Sequence, residues 1–408
     1  MKQKFSTVTK LLSLTTVMFL FSFKKNIPDN KEAVNDLKHS LAISAIPQMA
    51  GPDFQKLADT LAFRLKGNCV GYSLIVSYKG QYKTSRSGGQ SRRMQDAPAQ
   101  GFTMYDKYSI ASVSKTITTT ALIKKLSEMP GGMNNLDAPI WTYLPAHWQI
   151  GNNIKTITFR QLLTHTSGFR YDPDPKKDGD DYQTLKNLIS AGISLGNKTY
   201  LYNNRNFAIL RLIIPKLAQY NIISIAVNTP AAILKSLEVA QALQFANAYK
   251  DYCRQVIFNK LGTTATQAID CANTDTNPGL CSIFPFSGSK DYFSGGDASL
   301  SSGAQGWVLT TNQINDFFTT LQYTQTLLPT NLSTLMKDQL LGYDRNGTLS
   351  DGTTYYWKNG VYDFGSPVFA SYRSLIIGFS DDIQITMMAN SAINLQEAAK
   401  NAHQDWHP

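Results

Sequence analysis

The sequence predicts a mixed α/β fold of the α+β type: one antiparallel sheet flanked by helices, completed by strands from both ends of the chain, with a mainly helical lobe inserted. A β-rich hairpin early in the folded region, a second near the carboxy terminus and helical periodicity in the long stretch between them carry that reading. The folded region opens on a helix over Pro52 to Lys66, because Phe54, Leu57, Ala58, Leu61 and Leu65 fall on one face. Val70 to Ser77 is rich in β-formers, Lys79-Gly80 turns the chain and Gln81 to Thr84 returns. Lys107 to Met129 passes from a short extended approach into a helix whose apolar face holds Ile117, Ala121 and Leu122. Ser374 to Phe379 and Ile383 to Ala389 flank the turn Ser380-Asp381-Asp382, and the alternation of Ile383, Ile385 and Met387 marks the second hairpin. A helix over Ile393 to Ala402 closes the fold. Tyr171 to Asp181 and Thr263 to Ser302 carry loop chemistry, and the active cleft is expected between the lobes.

Composition narrows the function classes. With 408 residues, 42% of them hydrophobic and 17% charged, the chain is neither collagenous, disordered nor a polytopic membrane protein. Its 39 Lys and Arg outnumber 29 Asp and Glu, but Lys2, Lys4, Lys10, Lys24 and Lys25 supply half of the excess. No basic groove with interleaved aromatics accompanies the rest, so no nucleic-acid partner is expected. The same lysines flank the apolar run Leu11 to Phe23, which is short for a bilayer span and reads as an export signal over residues 1–25. No small-x-small cleavage site follows closely, so a retained membrane anchor is the alternative. Residues 26–51 read as a linker. Cys69, Cys253, Cys271 and Cys281 allow three pairings in an oxidising compartment. The loop between Cys271 and Cys281 favours that pair, and free buried thiols are the other reading. No C-x-x-C pair exists, so no structural zinc is expected.

Chemistry concentrates at Ser112-Val113-Ser114-Lys115. On a helix, residues three apart share a face, so the Lys115 amine can reach the Ser112 hydroxyl. A serine is a poor nucleophile until a base takes its proton, and a lysine made partly neutral by burial can serve. The S-x-x-K pattern recurs at Ser22 and Ser287, so alone it is weak. Two further motifs agree with it, Tyr202-Asn203-Asn204 ahead of a helical run and Lys358-Asn359-Gly360 before the carboxy-terminal hairpin.

In the order S-x-x-K, Y-x-N, K-x-G, the chain resembles the serine β-lactamase and penicillin-binding-protein family, particularly its class C β-lactamase and D-alanyl-D-alanine carboxypeptidase branch. LDAPIWTYLP (Leu136 to Pro145), ITFRQLLTHTSGF (Ile157 to Phe169), YNNRNFAILRLII (Tyr202 to Ile214) and YCRQVIFNKLG (Tyr252 to Gly262) look like the same branch. The resemblance implies a β-lactamase/transpeptidase-like catalytic domain over residues 52–404, with a helical insertion near 218–248. It also implies an acyl-enzyme on Ser112, formed without metal or cofactor, with Lys115 and Tyr202 sharing the proton. Asn204 would hold Lys115 and the substrate amide. Lys358, with Asn359 and Gly360, would receive a substrate carboxylate, and the backbone N–H groups of Ser112 and Val361 would form the oxyanion hole.

Three features depart from the family pattern: the 218–248 insertion, a long Cys271 to Gly296 segment, and Asn359 where Thr or Ser is commoner. His165 reads as scaffold. The four glutamates, Glu32, Glu128, Glu238 and Glu397, sit in no loop suited to a deacylating water, which argues against a class A mechanism. The expected protein is therefore an exported, periplasmic or extracellular serine hydrolase with a small-molecule or peptidoglycan-peptide substrate. Because Lys358 is cationic, β-lactams and D-Ala-D-Ala peptides rank above neutral esters. A non-turnover penicillin-binding sensor is the rival of another class.

Overall fold

The computed structural model of the chain describes residues 52–94, 99–172, 174, 179–262, 269–271, 298–364 and 370–406. The expected export segment and linker, the second and third S-x-x-K matches and Cys281 lie outside the described residues. Cys69, Cys253 and Cys271 are free thiols.

In chain order the first half holds α1 (Phe54–Leu65), β1 (Gly71–Tyr78), β2 (Gln81–Arg92), β3 (Gln100–Gly101), β4 (Tyr108–Ser109), α2 (Ser114–Glu128), α3 (Phe159–Leu163) and α4 (Tyr182–Ala191). The helical stretch continues with α5 (Arg205–Ala208), α6 (Leu210–Leu217) and α7 (Ala231–Val256), then β5 (Val308–Leu309), α8 (Thr311–Tyr323) and α9 (Thr330–Asp338). The chain ends with β6 (Arg345–Thr348), β7 (Thr354–Phe364), β8 (Ala370–Phe379), β9 (Ile383–Ala389) and α10 (Leu395–Trp406). Among the described residues, no helix is long and apolar enough to cross a membrane.

The main sheet has the order β3-β2-β1-β9-β8-β7-β6, and every pairing is antiparallel. Strands from the two ends of the chain, β1 and β9, therefore lie side by side at its centre, as the two terminal hairpins led one to expect. Both are buried almost throughout, because helices cover the sheet on both faces. Leu74 and Val76 of β1 and Ile383, Ile385 and Met387 of β9 pack with Leu57 and Leu61 of α1 and Ala399 and Ala402 of α10. The alternate β1 residues turn to the helical lobe, where Ser73 hydrogen-bonds Thr311 and Ser77 Oγ donates to Asn315 Oδ1 at 3.0 Å. Trp406 Nε1 donates to the Asp53 carbonyl at 2.8 Å, tying α10 to the start of α1.

A larger core fills the helical lobe and reaches the sheet: Ile117 and Leu122 of α2, Ile213 of α6, Phe245 and Tyr249 of α7 and Trp307 join Ile376 and Met388. Between Ala218 and Pro230 the chain is not helical, and the 26-residue α7 then runs on to Val256.

The third motif gains a strand of its own. Lys358-Asn359-Gly360 precedes the last hairpin, as expected, and lies inside a further strand, β7, in continuous register with β8 from Tyr355↔Phe379 to Phe364↔Ala370. The run Thr354 to Trp357, β-branched and aromatic, starts this strand. β7 also packs on the turn that bears Ser112. Ser374 Oγ, on β8, donates to the Ile110 carbonyl at 2.8 Å, and a Cβ on Gly360 would fall 2.0 Å from Ser374 Oγ and 2.3 Å from the Ile110 oxygen. The absence of a side chain at Gly360 thus lets β7 approach the nucleophile turn. Gly360→Ala should cost about 1–3 kcal/mol of stability, read by urea unfolding, because neither the carbonyl nor the strand can yield without moving Ser112.

Candidate active site

Ser112 stands on a tight turn. Ala111 before it has φ 43°, an unusual conformation for a residue with a Cβ, and it opens a 3₁₀ turn over Ala111–Val113 that feeds directly into α2. The turn's hydrogen bonding begins with the Val113 N–H to the Ile110 carbonyl at 3.1 Å, so the Ser112 N–H precedes the first closed ring.

Lys115, one turn on, is fully buried. Its Nζ donates to Ser112 Oγ at 2.9 Å, Asn204 Oδ1 at 2.8 Å and the Ala304 carbonyl at 2.8 Å, using all three of its protons. Among the described residues, no carboxylate hydrogen-bonds it. Burial therefore brings the Lys115 amine below the ordinary lysine range, with the nearby Lys358 charge acting in the same direction.

Tyr202 donates to Ser112 Oγ at 2.7 Å. Its ring lies between two ammonium groups, since Lys115 Nζ and Lys358 Nζ each lie 5.0 Å from its centroid. Burial alone would raise the phenol's pKa, but the two positive charges outweigh it and bring Tyr202 down to about 8. His165 supports this loop. Its ring packs 4.5 Å from that of Tyr202, and its Nδ1 accepts from the Asn203 N–H at 3.2 Å. Burial and the Lys115 and Lys358 charges keep the imidazole neutral, so it acts as a fixed acceptor. Asn204 precedes α5 and holds Lys115 through its Oδ1.

Lys358 is 2% exposed, and its ammonium pairs directly with Asp344. The other oxygen of Asp344 accepts from the Asn359 N–H at 2.8 Å. Sequence reasoning missed Asp344, and no motif flags Gly342-Tyr343-Asp344-Arg345. Only the β6–β7 pairing carries it there, with the Asp344 N–H donating to the Trp357 carbonyl at 2.9 Å. The expected free cation at Lys358 is thus already matched inside the protein.

The same edge locates Val361. Trp357 and Asn359 direct backbone groups away from β8, toward Asp344. Strand alternation turns the Val361 N–H to that edge too, beyond the last β6 pairing at Arg345↔Trp357. Ser112, Tyr202, Asn204, Lys358, Asn359 and Val361 all line one open cleft of about 840 Å³. Gly360 lies against the Ser112 turn through the contact described above.

Residues 48–224 match the Beta-lactamase family model. That region resembles the serine β-lactamase and penicillin-binding-protein-like family, and the fold is of the β-lactamase/transpeptidase kind. Its fold is similar to that of the octameric penicillin-binding protein homologue from Pyrococcus abyssi, at 14% identity and a TM-score of 0.64, covering 86% of this chain and 76% of that one. It is also similar to the β-lactamase/D-alanine carboxypeptidase from Yersinia pestis, at 14% identity and 0.62, covering 87% and 100%. The D-stereospecific amidohydrolase from Streptomyces sp. aligns at 19% identity and 0.59, covering 86% and 98%. No curated protein matches the chain in sequence.

If the Tyr202 phenolate takes the Ser112 proton, Ser112 acylation should rise with pH through about 8, because the base must lose its own proton first. Tyr202→Phe keeps the ring contacts and should lower the plateau rate by about a hundredfold or more, with the pH dependence near 8 lost. A pH series of acylation rates on both proteins measures this.

Proposed function

We propose that this serine hydrolase is exported and works through an acyl-enzyme on Ser112. The observation that carries the reading is a serine oxygen held at once by Lys115 at 2.9 Å and Tyr202 at 2.7 Å, at the bottom of an open cleft. When Tyr202 ionises, the hydrogen bond between them reverses and Ser112 Oγ–H donates to the phenolate, which takes the proton as Oγ attacks a carbonyl carbon. The carbonyl electrons move to oxygen, and the N–H groups of Ser112 and Val361 receive that oxyanion. As the tetrahedral species collapses, Tyr202 returns the proton to the leaving amine or alcohol. Water then repeats the sequence on the acyl-enzyme. Lys115 and Asn204 keep Ser112 and Tyr202 in register throughout.

Export rests on the lysine-flanked apolar run Leu11 to Phe23, which is also what a retained anchor would use. For the substrate, β-lactams and D-Ala-D-Ala peptides ranked first because Lys358 was read as a free cation for their carboxylate. The Asp344 partner of Lys358 weakens that ranking and favours a neutral ester or amide. The Streptomyces neighbour, a D-stereospecific amidohydrolase, is compatible with an amide. A sensor that acylates without turnover needs the same nucleophile and differs only in deacylation.

Intact-mass spectrometry after exposure to an alkyl fluorophosphonate tests the nucleophile. The wild-type chain should gain one phosphonyl adduct, mapped to Ser112, and Ser112→Ala should gain none while keeping its circular dichroism spectrum. An adduct that persists in Ser112→Ala would overturn the assignment. Release of p-nitrophenol from an ester by the wild-type protein, beyond one equivalent, distinguishes a hydrolase from a sensor.

A further inference from the structure

We infer that Asp344 is a positioning residue that sets the substrate specificity of this site, by holding the Lys358 ammonium inside the protein so that acyl donors without a carboxylate are preferred. The inference rests on the acyl-enzyme reading above and deepens it.

The geometry leaves Lys358 little freedom. Its side chain is 2% exposed, that of Asp344 is 20% exposed, and the two form a direct ion pair. Asp344 is itself fixed at both ends. Its second oxygen accepts from the Asn359 N–H at 2.8 Å and its own N–H donates to the Trp357 carbonyl at 2.9 Å, so it cannot swing away without breaking the β6–β7 junction. A substrate carboxylate reaching for Lys358 would have to approach Asp344 as well. Like charges at that distance repel, and an ammonium already satisfied by one carboxylate offers little to a second.

The charges around Tyr202 come from several elements. Lys115 on α2 and Lys358 on β7 stabilise its phenolate, Asp344 opposes them, and His165 stays neutral beside the ring. Asp180 also faces the cleft and acts on Lys115. Arg345, next to Asp344, is exposed at the rim, where solvent screens it. Tyr200 lies within reach of the Asp344, Lys358 and Arg345 charges and is exposed. Within this set, Asp344 is the acid paired with Lys358. Removing its charge alone should therefore do two things together: release Lys358 toward an incoming carboxylate, and let the Tyr202 phenolate form at lower pH.

The test measures second-order rates of Ser112 labelling by two probes, a fluorescent penicillin, which carries a carboxylate, and a neutral alkyl fluorophosphonate. In Asp344→Asn, whose amide oxygen can still accept from the Asn359 N–H, the ratio of penicillin to fluorophosphonate rates should rise roughly tenfold or more. The acid limb of fluorophosphonate labelling should move to lower pH. Asp344→Glu, which restores the charge, should return both readouts toward wild type. Asp344→Ser serves as a second uncharged variant should the amide not fold. An unchanged ratio in the folded uncharged variants, whether or not the limb moves, would overturn the inference and leave Asp344 as a structural tie. Failure of the fluorophosphonate to label Ser112 in the wild-type protein would instead overturn the acyl-enzyme reading, and this inference with it.

Discussion

A buried ammonium with no carboxylate partner among the described residues is the constraint around which this molecule is arranged. Lys115 lies behind the cleft, and its three protons go to three separate stretches of chain: Ser112 on the 3₁₀ turn ahead of α2, Asn204 before α5, and the Ala304 carbonyl in the loop ahead of β5. Burying a charge is unfavourable unless every hydrogen-bonding position is met, so each of those stretches must arrive at a fixed place. The surroundings do this with further polar ties. Thr118, one turn along α2, accepts or donates to Tyr249 of α7 at 2.7 Å and donates to the Gly303 carbonyl at 2.6 Å, fixing the loop that presents Ala304. The residual strain falls on the amine, which holds its proton less tightly than an ordinary lysine.

The sheet supplies the other side of the site. Because β1 and β9 occupy its centre, β7 lies toward one edge, and β6 is too short to cover it beyond Trp357. That uncovered edge is a row of backbone groups facing the cleft. Edges of this kind invite aggregation in most proteins, yet here Asp344 caps the Asn359 N–H and the Val361 N–H faces the substrate space. Gly360 then lets the strand come close to the turn that carries Ser112. Recognition and nucleophile are thus joined through one missing side chain.

Much of this was legible from the sequence where periodicity was strong. Ile383–Ala389 and the first helix, observed as Phe54–Leu65, were readable because each buries a regular face. Ser112, Lys115, Tyr202 and Asn204 were readable because local spacing and motif order point at them; Lys115 and Tyr202 meet at the Ser112 oxygen, and Asn204 holds Lys115. Lys358 was placed before the last hairpin, but the strand that carries it was not read, because its apolar and polar residues do not alternate cleanly. Asp344 was invisible. Its role depends on a cross-strand pairing and on a neighbour fourteen positions away, and neither leaves a trace in local pattern. The order of charges in a cleft is a tertiary property, and a substrate ranking drawn from Lys358 alone leaves Asp344 out of account.

The central claim is that Ser112 attacks a carbonyl whose developing oxyanion falls between two backbone N–H groups while Lys358 stays with Asp344. A crystal structure of the protein with phenylboronic acid tests it most directly, since the boronate imitates the tetrahedral species. The account expects boron bonded to Ser112 Oγ, one boronate oxygen within hydrogen-bond distance of the Ser112 and Val361 N–H groups, and the Lys358–Asp344 pair intact. Boron on any other residue, or a boronate oxygen turned away from both N–H groups, would contradict it.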